Sequence, residues 1–397
     1  MKGIMTPSDE PSGATDCVRH PEAPLDGFRS FSVPVYRAST VLFEDAASYR
    51  TRAERNPDGY AYGLNGTPTS RTLEAQITRL HGGVRSIVVP SGQAAITALM
   101  MTVLRSGDEV LIADNVYPPV KSFCRDVLSG FGITTGIYDP MDLPALERQL
   151  TGRVRLIWIE APGSTTMEVA DVARIAALAR SRGVLTGCDN SWASPLLFKP
   201  LAQGVDVVAE AITKYIGGHS DVLLGSITFA DFGLYTRTRK LLSTVGIGVS
   251  PDDCSLALRG LETLAVRLAH VQRVAYDFAQ RLGSFDCVAA VLHPALPNSP
   301  GHAYWAQAFE GSSGVFSLLL KPCQDAVVDQ ALSKIRLFGI GPSWGGTRSL
   351  IAPMGAQRDC RPAGARKDAY LRLSIGLEDE GQLWTDLAEC LGAIWID

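Results

Sequence analysis

From residue 86 to residue 229 the chain alternates short apolar runs with stretches of helical spacing. Ser86-Ile87-Val88-Val89, Val110-Leu111-Ile112-Ala113 and residues 154–159, 184–188, 205–212 and 222–229 read as strands. Residues 94–104 are good helix formers closed by Ser106-Gly107-Asp108. Val172, Ile175, Ala176, Leu178 and Ala179 mark one face of a second helix, which Gly183 ends. Strands that are apolar on both faces and separated by helices require a mostly parallel sheet between helices, an α/β architecture. The last part of the chain differs. Residues 314–320 and 370–375 read as strands there, and 325–338 and 382–395 as helices, which makes a smaller α+β portion. A long helix over about 255–282 joins the two. The opening, to about Arg55, reads as an arm with extended pieces such as residues 31–36, and helical spacing follows over 71–80.

Composition narrows the function classes. Of 397 residues, 46% are hydrophobic and 20% charged, enough to bury a large core. Net charge is −4, from 37 basic and 41 acidic residues, so no basic surplus exists to neutralise phosphates, and neither a nucleic-acid nor a membrane partner is expected. No uninterrupted apolar run reaches the roughly 18 residues of a membrane span. The opening is rich in Pro, Ser, Gly and Asp and does not read as a signal peptide. Eight cysteines are scattered with no C-x-x-C pair and no nearby His at ligand spacing. Free thiols in a reducing cytoplasm, and no metal site, are the expectation.

In open α/β sheets, ligands bind beyond the carboxyl ends of the strands, so the residues that follow each strand carry the functional information. After the first strand comes Ser91-Gly92-Gln93-Ala94 at a helix start, where backbone N–H groups form an anion site. Tyr117 follows the second. Asp189, then Asn190, ends the fourth, and Thr213 and Lys214 come soon after the fifth. Each residue alone has a plain explanation, as a solvated lysine, a turn aspartate, an ordinary helix start or a tyrosine packing a turn. Together they offer an anion cradle, an aromatic face, a carboxylate and a lysine on one rim. That set matches pyridoxal phosphate, whose phosphate, ring, pyridine nitrogen and aldehyde need those four groups. A nicotinamide-binding fingerprint is the rival. Its nearest candidate, Gly130-Phe131-Gly132 with Gly136, misses the required spacing by one residue, and no clear strand precedes it.

The same residues carry a family resemblance. The segment 211–221, Ala-Ile-Thr-Lys-Tyr-Ile-Gly-Gly-His-Ser-Asp, resembles the cofactor-lysine motif of the Cys/Met-metabolism family of pyridoxal-phosphate enzymes. Ser91-Gly92-Gln93-Ala94-Ala95 is similar to its phosphate loop, and Asp189-Asn190-Ser191-Trp192 to its pyridine-nitrogen motif. Within the family, Glu160-Ala161-Pro162-Gly163-Ser164, Met167-Glu168-Val169, His293-Pro294-Ala295-Leu296-Pro297, Gly311-Ser312-Ser313-Gly314 and Ser343-Trp344-Gly345-Gly346 resemble the cystathionine β-lyase group. The resemblance implies the transferase-like fold type I. It places an N-terminal arm over 1–58, a cofactor-binding α/β domain over 59–254 and an α+β C-terminal domain over 255–397. It also implies a homotetramer, a dimer of dimers with shared active sites.

Carried over by position, the resemblance implies that Lys214 holds the cofactor as a Schiff base and shuttles the Cα proton. Tyr117 and Tyr62 join it as catalytic groups. Asp189 pairs with the pyridinium nitrogen, and Tyr117 stacks on the ring. Ser91, Gly92, Gln93 and Thr213 hold the phosphate, and Tyr62 reaches the phosphate of the neighbouring subunit. Arg372, helped by Ser343 and Trp344, binds the substrate α-carboxylate. Strand alternation supports Arg372 separately, because it projects from the face opposite Leu371, Leu373 and Ile375. The implied reaction is α,β-elimination of L-cystathionine or a related cysteine S-conjugate to a thiol, pyruvate and ammonia. The chain departs from the family at Leu64, where relatives carry a phosphate-binding arginine, and at Ala211, Pro342, Thr347 and Arg348. A specialised homologue acting on another amino acid by β- or γ-chemistry, and a non-catalytic regulator on the same fold, are the alternatives.

Overall fold

The computed structural model describes residues 30–355, 358–360 and 369–395. The opening of the arm and Cys17 lie outside them. The chain divides into two units, Met1–Val33 and Pro34–Asp397. The described end of the first, residues 30–33, holds no helix or strand.

The larger sheet of the second unit has seven strands: β1 (Arg85–Val89), β2 (Glu109–Ala113), β3 (Thr134–Tyr138), β4 (Val154–Glu160), β5 (Leu185–Asp189), β6 (Val207–Glu210) and β7 (Gly225–Phe229). They lie in the order β1-β7-β6-β5-β4-β2-β3. The pairs from β3 across to β6 are all parallel, whereas β7 pairs antiparallel with both β6 and β1. Only β7 therefore runs against the rest, and the mostly parallel sheet expected from the apolar runs is present. Because β1 and β6 share a direction, the loops after β1, β2, β4, β5 and β6 open on one rim, and β7 begins there. Ile87, Val89, Leu111, Ile112, Ile157, Trp158 and Ile159 are each at most 1% exposed, so both faces of the sheet are covered.

The second sheet holds β8 (Val288–Leu292), β9 (Val315–Leu320), β10 (Gly339–Ile340), β11 (Leu350–Gly355) and β12 (Ala369–Ser374), ordered β10-β11-β12-β9-β8. Its main pairs are antiparallel, as an α+β portion requires.

Two expectations change. The single helix over 255–282 is two, Pro251–Glu262 and Leu264–Leu282. The Arg267 guanidinium reaches back to donate to the carbonyls of Gly260 (2.7 Å) and Tyr215 (2.8 Å), so Gly260 gives its acceptor to a side chain where the ladder would continue. The helix expected over 325–338 stops at Leu332, because buried Asp386 accepts the N–H groups of Arg336, Leu337 and Phe338. The Gly130-Phe131-Gly132 pattern lies before β3 rather than after a strand. Gly132, at φ 72°, closes a helical turn there, which removes the nicotinamide reading.

Candidate active site

Ser91 caps the helix Gly92–Val103, its hydroxyl accepting from the Ala94 N–H at 3.1 Å. A Cβ on Gly92 would sit 2.7 Å from the Cβ of Ala211, and one on Gly225 would sit 2.2 Å from the Ser91 carbonyl oxygen. Two glycines thus let three loops close on one helix start, whose first N–H groups have no partner within the helix. The Gln93 side-chain nitrogen donates to the Pro119 carbonyl at 3.2 Å, and its buried Oε1 has no hydrogen-bond partner among the described residues.

Asp189 ends β5 and accepts the Ser191 N–H at 2.8 Å. Burial pushes its carboxyl above the usual range, a cost that a cationic partner would relieve. After β6 the chain turns through Thr213, whose hydroxyl donates to the Leu224 carbonyl (3.0 Å) and accepts the Leu224 N–H (3.1 Å). That double contact pins the Lys214 turn to the segment entering β7. Lys214 Nζ donates to Ser343 Oγ at 2.7 Å and lies 5.2 Å from the centre of the Trp344 ring. Burial, with Arg372 adding to it and Asp189 opposing, lowers the Lys214 amine to about 8. It can therefore be neutral near physiological pH, as a proton acceptor must be.

Arg372 comes from the second sheet. Leu371 and Leu373 bury the opposite face of β12, and Arg372 itself is only 5% exposed. Its guanidinium donates to the Pro342 carbonyl at 2.8 Å, so a half-exposed surface arginine is excluded.

One cavity of about 200 Å³ gathers these groups. Ser91, Gly92, Gln93, Tyr117, Asp189, Thr213, Lys214, Trp344 and Arg372 all line it, and Ser343 adjoins it through Lys214. Tyr62 does not line this cavity; its side chain is half exposed. Leu64 packs against Gly248, and the side-chain oxygen of Asn65 accepts from the Ser243 hydroxyl at 2.9 Å. Pro342 lines the cavity, whereas Arg348 is exposed and does not.

Glu160 is a further cavity residue that the motif reading does not assign to the site. It ends β4 opposite Asp189 in register, lines the cavity, and its Oε2 accepts the Tyr117 N–H at 2.7 Å. Burial, reinforced by Asp189, drives its carboxyl well above the usual carboxylate range. The signal was available, since Glu160 follows the apolar run of residues 154–159 and so obeys the strand-end rule that singled out Asp189.

The family profile described as Cys/Met metabolism PLP-dependent enzyme matches residues 14–392. The chain belongs to that family. It is 36% identical over 362 residues to a cystathionine beta-lyase of Escherichia coli, covering 89% of this chain and 91% of that protein. It is also 36% identical over 382 residues to an L-alanine/L-glutamate racemase of Wolbachia pipientis, covering 92% and 93%. Among solved structures, cystathionine gamma synthase from Xanthomonas oryzae pv. oryzae in complex with cystathionine superposes with a TM-score of 0.84 at 30% identity, covering 91% and 93%. Its members use pyridoxal phosphate, and the cavity fits that group. An anion-binding helix start, a buried carboxylate, an aromatic side chain and an amine of lowered pKa converge there, with room between them.

Proposed function

We propose that this protein is a carbon–sulfur β-lyase that cleaves L-cystathionine or a related cysteine S-conjugate to a thiol, pyruvate and ammonia. The observation that carries the reading is the placing of Lys214, Asp189 and Arg372 around one cavity. Its support from relatives is the long match to a cystathionine beta-lyase.

Ser91, Gly92, Gln93 and Thr213 would hold the cofactor phosphate, Tyr117 would face the ring, Asp189 would keep the ring nitrogen protonated, and Lys214 would bind the aldehyde. Bound pyridoxal phosphate supplies an electron sink for negative charge at the substrate Cα. Arg372 binds the α-carboxylate by its planar fork and so orients the Cα–H bond toward Lys214. The Lys214 amine, neutral above about 8, accepts that proton. The Cβ–S bond then breaks, the electron pair leaves with sulfur, and protonation gives the thiol. Water converts the remaining three-carbon unit to pyruvate and ammonia. Pro342 stands where γ-acting relatives carry a glutamate, which favours elimination at Cβ.

A second reading is Cα racemisation. The racemase relative favours it, as does the second proton-bearing group in the cavity, the Tyr117 hydroxyl. We read the subunit as a 59–254 cofactor domain and a 255–397 C-terminal domain behind a 1–58 arm, assembled as a homotetramer with shared sites. Tyr36, Leu42, Tyr49 and Tyr62, all large and exposed, support a partner covering this stretch. A cytoplasmic location agrees with the free thiols of Cys124, Cys188, Cys254, Cys287, Cys360 and Cys390, and no helix among the described residues is long and apolar enough to cross a membrane.

The test is product analysis. Purified holoenzyme is given L-cystathionine, S-alkyl-L-cysteines and L-alanine in turn, and pyruvate, free thiol and D-alanine are measured. Stoichiometric pyruvate and thiol from a cysteine conjugate supports the lyase. D-alanine without pyruvate replaces it with the racemase.

A further inference from the structure

The carboxyl ends of β4 and β5 place two acids side by side, Glu160 and Asp189. Both line the cavity, yet the reaction above uses only one of them. Glu160 has one specific contact, a 2.7 Å hydrogen bond from the main-chain N–H of Tyr117. That contact is not a local turn, because it joins residues 43 apart in the chain, across the strands β2 and β4. Tyr117 needs such an anchor. It precedes Pro118 and Pro119 at the start of a six-residue helix, has no side-chain cap, and is 44% exposed. Nothing else among the described side chains hydrogen-bonds its main-chain N–H. Two carboxylates so close in a buried pocket cannot both ionise readily, and Asp189 is the one the cationic groups of the site favour.

We propose that Glu160 is a positioning residue whose carboxyl ties the Tyr117 main chain to the cavity wall and so fixes the phenol ring over the cofactor ring. This role rests on the reading of Tyr117 as the stacking group. The hydrogen-bond acceptor does the positioning, and a negative charge does not. Glutamine can replace Glu160, while alanine removes the contact and aspartate, one methylene shorter, does not reach it.

The test compares wild type with Glu160→Gln, Glu160→Ala and Glu160→Asp, all stripped of cofactor and checked for intact folding by far-ultraviolet circular dichroism and thermal melting. Pyridoxal phosphate is titrated in, its dissociation constant is read from quenching of Trp192 and Trp344, and the orientation of the bound ring from visible circular dichroism. Glu160→Gln should keep both within about twofold of wild type. Glu160→Ala and Glu160→Asp should weaken binding about five- to tenfold, the value of one hydrogen bond, and diminish the visible dichroism. Should Glu160→Ala not fold, Glu160→Asp carries the comparison. A Glu160→Gln protein that behaves like Glu160→Asp, or a Glu160→Asp protein indistinguishable from wild type, overturns the role. Wild-type protein that binds no pyridoxal phosphate overturns the parent reading itself, a different result from either.

Discussion

Lys214 Nζ rests on the hydroxyl of Ser343, 2.7 Å away, so a lysine from the first sheet's rim is held by the loop between β10 and β11 of the second sheet. A hydroxyl that accepts from an ammonium favours the charged form, opposing the burial that lowers this amine to about 8. Cofactor capture by the stripped protein needs the neutral amine. Its rate should climb about tenfold per pH unit below about 8 and level off above it, rather than near the ordinary lysine value of about 10.5. Ser343→Ala removes the acceptor and should move that break to lower pH. Stopped-flow absorbance across the pH range measures both, and a break unmoved in the variant would show that the contact does not act on the amine.

Arg372 offers two parallel donors to a carboxylate, and each charge-assisted hydrogen bond is worth about 1.5–3 kcal/mol. Arg372→Ala should therefore raise KM for any α-amino acid substrate by about a hundredfold or more. Arg372→Lys should recover only part, because the ammonium lacks the fork. The visible band of the bound cofactor should persist in both. Steady-state kinetics beside the absorption spectrum separates loss of substrate binding from loss of cofactor.

Asp114, fully buried, accepts from Lys121 at 3.1 Å, from Arg358 at 2.9 Å and from the Asp359 N–H at 2.7 Å, while Arg358 also pairs with Glu168. Removing one partner strands buried charge, so Asp114→Ala should cost about 3–5 kcal/mol in equilibrium denaturation. A loss below about 1 kcal/mol would mean that water reaches the network.

His293 is fully buried, and its ring packs against Phe316 and Tyr276. Burial lowers it to about 4. Its folded value lies below the unfolded value of about 6.5, so its contribution is complete above that pH and is lost as pH falls toward about 4. Wild type should lose roughly 3 kcal/mol more than His293→Gln between pH 7 and 4. Denaturant titrations at fixed pH give the difference, and parallel curves would place water beside the ring.

How much of this was legible depended on where each instruction is written. Strands β1, β2, β4 and β5 are apolar on both faces, so the parallel sheet could be read from local pattern. Strand β3, Thr134-Thr135-Gly136-Ile137-Tyr138, is a half-exposed edge with little apolar content, and β11 carries Pro353, which argues against a strand. Neither shows in the pattern. The break at Thr263 is set by Arg267 folding back on Gly260 and Tyr215, which no local rule reveals. Strand ends alone assembled Ser91, Tyr117, Asp189 and Lys214 on one rim. Ser343, Trp344 and Arg372 came through family resemblance, because nothing in local spacing tells residue 214 that it will meet residue 343. Glu160 lay one residue beyond an apolar run, and its partner is a main-chain N–H that side-chain motifs do not record.

If Lys214 carries the cofactor, reduction must fix the group to that one residue. Borohydride reduction of the holoenzyme, followed by peptide mass spectrometry, tests it most directly. One modified peptide per chain is expected, with the adduct on Lys214, and no adduct in Lys214→Ala. An adduct on another lysine, or a Lys214→Ala protein that keeps the wild-type absorption band and activity, would contradict it.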